Sequence, residues 1–277
     1  VSAEEVYDIT GIQVLELNSL YQLLAVQKDT PELFDIASDM LFVPDLLNYF
    51  LTGKKQTEYT IASTSQLLDA NKRTWSDTLI DKFGLPKKLF SDVVMPGTTC
   101  GDLQPSLVEE FGGICPKVVS VCAHDTGSAV LAVPAKSEKF IWLSSGTWSI
   151  MGTETKDPVI SEKSKEYNFT NEGGVNGSYR FLKNIMGMWL FQNIRKNLDK
   201  KYTYDEMMFM AMESNFTDKI DPTDDAFLAP ENMIEAIRTY LGKPELPIGD
   251  VLNSVYHSLA NSYKEAVEII ERVSGKK

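Results

Sequence analysis

The sequence predicts an α/β protein of two domains, and three observations carry that expectation. Apolar residues recur at helical spacing through the first hundred positions. After Lys117 the pattern switches to a β-branched run followed by hairpin signals. Between the two lies a polar break, from Pro134 through Lys136, Ser137, Glu138 and Lys139. We place the boundary there, giving residues 1–136 and 137–277. A length of 277 residues with 43% apolar content supports a core in each part.

The elements follow in order. Leu20, Leu23, Leu24 and Val26 predict a helix over Ser19–Gln27. Pro31 suits the start of the next. A third runs from Leu41–Asp45 to Thr52, with Gly53 as its C-cap. Trp75–Phe83 is a fourth, stopped by Gly84 and Pro86. Val118–Cys122 is expected to be a buried strand, followed by a turn at Ala123–Gly127 and a short helix from Ser128 to Val133. Phe140–Leu143 and Thr147–Met151 form a hairpin about Ser144-Ser145-Gly146, and Asn176-Gly177 marks a second hairpin turn. Leu182, Met186, Trp189, Leu190 and Ile194 are spaced as one face of a helix. Val251, Val255, Leu259, Ala266, Val267 and Ile270 line the last helix.

Composition excludes several classes. A net charge of −12 argues against nucleic acid, whose phosphates need basic surface. No apolar run is long enough to cross a bilayer, and the acidic start after Val1 is unlike a signal peptide, so a cytoplasmic protein without membrane partners is expected. Cys100, Cys115 and Cys122 are too few and too scattered for a disulfide framework and are expected to be buried thiols. His124 and His257 are the only histidines, so no metal ligand is assigned. The missing initiator methionine, and an end just past a long helix, suggest a cut chain.

Two places can hold chemistry. Asp125 sits at a strand exit among the small residues Thr126, Gly127 and Ser128, where ligands gather in open α/β sheets. On local pattern alone, capping the following helix is the commoner role for such an aspartate. The turn Ser144-Ser145-Gly146-Thr147 offers N–H and O–H donors that suit a phosphate, without the GxxxxGK[ST] signature of a P-loop.

Together these runs resemble a known family. Cys122-Ala123-His124-Asp125-Thr126-Gly127-Ser128-Ala129-Val130 and Leu143-Ser144-Ser145-Gly146-Thr147-Trp148-Ser149 are similar to motifs of the FGGY carbohydrate kinases. Thr170–Gly174 and Phe181–Gln192 resemble the branch that phosphorylates the 1-hydroxyl of L-rhamnulose. The resemblance covers nearly the whole chain and is weakest over residues 200–222. It implies an actin- or hexokinase-like fold of two ribonuclease-H-like lobes facing a cleft, each incomplete here. It also implies a sugar-binding first domain, a nucleotide-binding second domain, and ATP with Mg²⁺. By resemblance Asp125 is the proton acceptor, His124, Thr126 and Asn184 contact the sugar, and Thr147 and Gln192 lie on the ATP side. The same resemblance implies that the family's phosphate-binding strand–turn–strand would precede Val1 and its adenine-binding segment would follow Lys277. Another ketose kinase of the family, for xylulose or fuculose, and a non-catalytic sugar sensor are the alternatives.

Overall fold

The computed structural model describes residues 1–275. Packing divides the chain into two compact units, the first made of Val1–Phe140 and Thr153–Leu182, the second of Ile141–Gly152 and Lys183–Lys277. The chain therefore returns to the first unit after leaving it, and the division is not a single cut.

The first unit opens with helices α1 (Ala3–Thr10), α2 (Ser19–Asp29), α3 (Glu32–Ile36) and α4 (Val43–Thr52). Short elements follow: β1 (Thr57–Glu58), α5 (Tyr59–Ala62), β2 (Leu68–Asp69), β3 (Thr74–Trp75), α6 (Asp77–Phe83), β4 (Val93–Val94), β5 (Thr99–Asp102), α7 (Pro105–Glu110), β6 (Lys117–Val119) and α8 (Asp125–Leu131). α4 ends as expected, because Gly53 adopts the left-handed conformation that a C-cap requires. α6 begins two residues later than the apolar pattern suggested. Ser76 accepts the Leu79 N–H as N-cap, while Trp75 pairs with Leu68 in the β2–β3 ladder. A core of Val6, Leu20, Leu67, Leu79, Ile80 and Leu85 holds α1, α2 and α6 together. Tyr59, Ala62 and Leu68 form a second, smaller cluster.

The buried strand expected at Val118–Cys122 is corrected. Only Lys117–Val119 is extended, paired antiparallel with β5, and Val119 and Val121 are exposed. With a neighbour on one side only, the β-branched run keeps its propensity but not its burial. Of the three thiols, all free, Cys100 and Cys122 are buried, but Cys115 is exposed.

β7 (Trp142–Ser145) and β8 (Trp148–Thr155) form the expected antiparallel hairpin, with Ser145 opposite Ser149. α9 (Glu162–Glu166) precedes β9 (Thr170–Gly173), which pairs antiparallel with β10 (Tyr179–Met186). Their connection holds Asn176 and Gly177 at φ 56° and 73°, the left-handed values for which an Asn-Gly pair is suited. Here a second expectation fails. Leu182 and Met186 lie on β10, and the helix starts only at Trp189 as α10 (Trp189–Asn197). A separation of four fits a strand as well as a helix, and Leu182 and Met186 are both buried.

The second unit is mainly helical. α10, α11 (Tyr204–Met212), α12 (Met233–Tyr240) and α13 (Ile248–Ser274) enclose one core of Met186, Leu190, Phe191, Ile194, Met207, Ile237, Val251, Val255 and Leu259, among others. No helix among the described residues is long and apolar enough to cross a membrane.

Candidate active site

Asp125 is the first residue of α8, with His124 at the N-cap position. The helix thus starts three residues earlier than its apolar pattern. His124 makes no side-chain cap. Among the described residues the Asp125 carboxylate accepts from its neighbour Thr126 alone, the N–H at 2.6 Å and, more weakly, the hydroxyl. It is 96% exposed, so it remains available to a ligand. Thr126 itself is buried, its hydroxyl 3.4 Å from Asp125 Oδ1.

The backbone leading into α8 is fixed by a buried carboxylate from elsewhere in the first unit. Glu58, fully buried, caps α5 by accepting the N–H groups of Thr60 and Ile61 at 2.9 and 3.1 Å. It also accepts the Thr60 hydroxyl and, at 3.1 Å, the N–H of Ala123. Thr60 Oγ1 in turn accepts the His124 N–H at 3.1 Å. Four donors on one carboxylate satisfy a charge that would otherwise be costly to bury. Next to it, Asp45 accepts the Glu58 N–H at 3.0 Å. Burial, and secondarily the Glu58 charge, push the Asp45 carboxyl up to about 6, although the bond from Glu58 N–H opposes this.

The His124 imidazole is held from β9 and β10. Arg180, only 1% exposed, places Nη2 2.8 Å from His124 Nδ1 and 3.0 Å from Glu172 Oε2, and its Nε donates to Gly173 O at 3.0 Å. Glu172 Oε2 is 3.3 Å from His124 Nδ1. Burial pushes the imidazole below its ordinary value; Glu172 opposes this and Arg180 adds to it. Gly127 is what lets α8 approach this cluster. A Cβ there would lie 2.4 Å from Cys122 Sγ and 3.4 Å from Arg180 Cζ.

In the second unit, the β7–β8 turn docks on the start of α10. The N–H groups of Met188 and Trp189 donate to Gly146 O and Thr147 O at 2.9 and 3.0 Å. The turn thereby satisfies donors that a helix N-terminus leaves open. Gln192 Nε2 donates to Thr147 Oγ1 at 3.2 Å, so these two candidates are neighbours. The Gly146 N–H is spent on Trp148 O at 3.0 Å and is not among the donors expected for a phosphate. Gly187 permits the docking, because a Cβ there would meet Gly146 O and Ser149 N, both at 2.7 Å. Asn184 is half-buried on β10.

Of the six sequence candidates, His124, Asp125 and Thr126 are adjacent in the first unit, Thr147 and Gln192 touch in the second, and Asn184 stands on β10 of the second. Glu58, Glu172 and Arg180 were not found as supports. Arg180 carried a usable signal, since a charged residue inside the apolar run Tyr179–Leu182 must find a partner.

Residues 1–132 match the N-terminal domain of the FGGY family of carbohydrate kinases, and residues 142–277 match its C-terminal domain. The chain belongs to the FGGY family. Curated relatives include the rhamnulokinase of Oceanobacillus iheyensis, 42% identical over 99% of this chain and 58% of its own length. The rhamnulokinase of Bacteroides thetaiotaomicron is also 42% identical, over 99% of this chain and 57% of its own length. The chain thus spans somewhat over half the length of these FGGY relatives. Among solved structures, xylulose kinase from Rhodospirillum rubrum gives a TM-score of 0.76 at 14% identity, covering 99% of this chain and 56% of that one. Plasmodium falciparum glycerol kinase with ADP gives 0.71 at 14% identity, covering 100% and 56%. These identities establish the α/β sugar-kinase fold and nothing narrower.

Proposed function

We propose that the protein carrying this FGGY chain phosphorylates the 1-hydroxyl of L-rhamnulose with ATP, in the cytoplasm. One observation carries the reading: an almost fully exposed aspartate, Asp125, stands on a backbone that buried groups hold still. The rhamnulokinase names of several relatives at 37–42% identity supply the substrate. Residues 1–136 chiefly serve the sugar and residues 137–277 chiefly the nucleotide.

In this reading the hydroxyl oxygen attacks the γ-phosphorus, the bond from that phosphorus to the β-phosphate oxygen breaks, and ADP departs. Asp125 accepts the hydroxyl proton late, as the O–P bond forms, and orients the nucleophile beforehand. His124, Thr126 and Asn184 hold the ketose, while Thr147 and Gln192 serve the nucleotide. Mg²⁺ would neutralise phosphate charge. Among the described residues no cluster of three or more His, Cys, Asp or Glu side chains could hold a metal. No residue is therefore assigned to Mg²⁺, and no step is drawn through it.

The test is ADP release by the complete polypeptide, coupled to an indicator reaction, with L-rhamnulose, D-xylulose and L-fuculose as separate substrates. L-Rhamnulose is expected to give the highest kcat/KM, by at least about tenfold, a difference of about 1.4 kcal/mol in transition-state binding. Equal rates with all three ketoses, or no ketose-dependent ADP, would remove the assignment.

A further inference from the structure

We propose that Arg180, paired with Glu172, is a positioning residue that locks His124 as a neutral donor with its proton on Nε2. This deepens the kinase reading and rests on it for the identity of the ligand.

A guanidinium can only donate. Arg180 Nη2 lies 2.8 Å from His124 Nδ1, so that nitrogen must present its lone pair. A proton on Nδ1 would set two donors against each other at that distance. The competing arrangement, Nδ1–H donating to Glu172 Oε2, is the longer contact at 3.3 Å. That oxygen forms an ion pair with Arg180 Nη2 at 3.0 Å without hydrogen-bond geometry, so the shorter Arg180 contact decides which nitrogen carries the lone pair. A doubly protonated ring would bring a second positive charge against a fully buried guanidinium. The groups facing the imidazole are Glu172 from β9, Arg180 from β10, Glu58 from the start of α5 and Asp125 beside it on α8. Burial also disfavours the imidazolium, in agreement with the geometry.

The proton then sits on Nε2, 3.8 Å from Asp125 Oδ1. A hydroxyl or carbonyl oxygen bound there meets one fixed N–H donor and one fixed carboxylate acceptor. Because the ring is neutral, it does not neutralise the carboxylate that must receive a proton. The Arg180–Glu172 pair supplies this control without adding net charge. Gly127 packs against the guanidinium without crowding it, and the clash a Cβ there would make is with Cys122 Sγ, at 2.4 Å.

The decisive experiment is ¹⁵N NMR of the complete polypeptide with labelled histidine, the His124 signals assigned by comparison with His124→Gln. The expected result is a pyridine-type Nδ1 and a pyrrole-type Nε2 at neutral pH. A pyrrole-type Nδ1, or two protonated nitrogens, would overturn the proposal. This readout uses no substrate, so it stands or falls separately from the kinase reading.

A kinetic arm tests the consequence. The side-chain amide of glutamine can stand in for Nε2–H, and that of asparagine for Nδ1–H. His124→Gln is expected to keep KM for L-rhamnulose within about fivefold, whereas His124→Asn raises it by about twentyfold or more, with KM for ATP unchanged in both. Equal losses in the two variants would count against an Nε2 donor.

Discussion

The two candidate regions are built from different materials. Around His124 and Asp125, position is set by side chains: the Glu58 carboxylate on Ala123 N–H, Thr60 on His124 N–H, and Arg180 on the imidazole. Around Thr147 and Gln192, position is set by backbone: the N–H groups of the α10 N-cap Met188 and of Trp189 on two turn carbonyls, with Gly187 against the hairpin. A carboxylate or guanidinium can be retuned by one substitution, whereas a glycine contact admits almost none. The first region is therefore open to chemical tuning, and the second is a rigid platform.

The sharpest contrast lies in the two glycines. In Gly187→Ala the new Cβ meets backbone, which cannot turn aside, and the loss of stability is expected to reach about 3 kcal/mol or more. Removing the nearby hydroxyl with Ser149→Ala should not restore it, since Gly146 O and Ser149 N remain. In Gly127→Ala the closest atom is a side-chain sulfur, so adding Cys122→Ala should recover at least half of the loss. Urea denaturation of the two single and two double variants measures both. Rescue of Gly187→Ala by Ser149→Ala would break the distinction.

Next in size is Glu58→Gln. It replaces an acceptor oxygen by an NH₂ that must face N–H donors. The expected cost is about 2–3 kcal/mol in stability, and kcat falls by about tenfold as the Ala123–His124 backbone loosens. A stable variant with unchanged kcat would show that Glu58 is not the anchor.

Asp45 supplies a pH-dependent comparison. Its carboxyl titrates at about 6 when folded, against an ordinary 3.8. Below about pH 4 it is protonated both folded and unfolded, and its contribution to stability is fully present. As pH rises towards 6 the unfolded chain releases this proton first, so the contribution is lost, by up to about 3 kcal/mol. Asp45→Asn keeps an oxygen for the Glu58 N–H and cannot ionise. The variant should therefore be more stable than the parent at pH 7–8 and gain nothing at pH 4. A gain independent of pH would contradict this.

The smallest effect is expected at Gln192. Gln192→Ala removes an exposed bond to Thr147 and should cost under about 1 kcal/mol of stability. In the kinase reading, KM for ATP rises several-fold while KM for L-rhamnulose stays put. A rise confined to the ketose would move Gln192 to the other substrate.

Much of this was legible in the sequence, for identifiable reasons. Gly53 and Asn176-Gly177 announced their turns because few residues tolerate a left-handed backbone. The β7–β8 hairpin and α13 followed from periodicity. Leu182 and Met186 misled because a spacing of four is common to helix and strand, and the partner residue that decides it, Thr170 opposite Leu182, lies twelve residues upstream. Asp125 and His124 were legible through their motif. Their supports were not, since Glu58 is 65 residues from Ala123 and Arg180 is 56 from His124. Such distant pairings leave no local pattern, apart from a lone charge in an apolar run.

The central claim is that Asp125 serves the reaction and not the fold. Its carboxylate is 96% exposed and accepts one N–H among the described residues, so losing the charge should cost the structure little. The direct test is Asp125→Asn in the complete polypeptide, with kcat for L-rhamnulose-dependent ADP release and Tm measured on the same preparation. The account predicts that kcat falls by at least about a hundredfold, about 2.7 kcal/mol in barrier, while Tm stays within about 2 °C. Retention of more than about a tenth of kcat, or a collapse of Tm alongside it, would contradict the assignment.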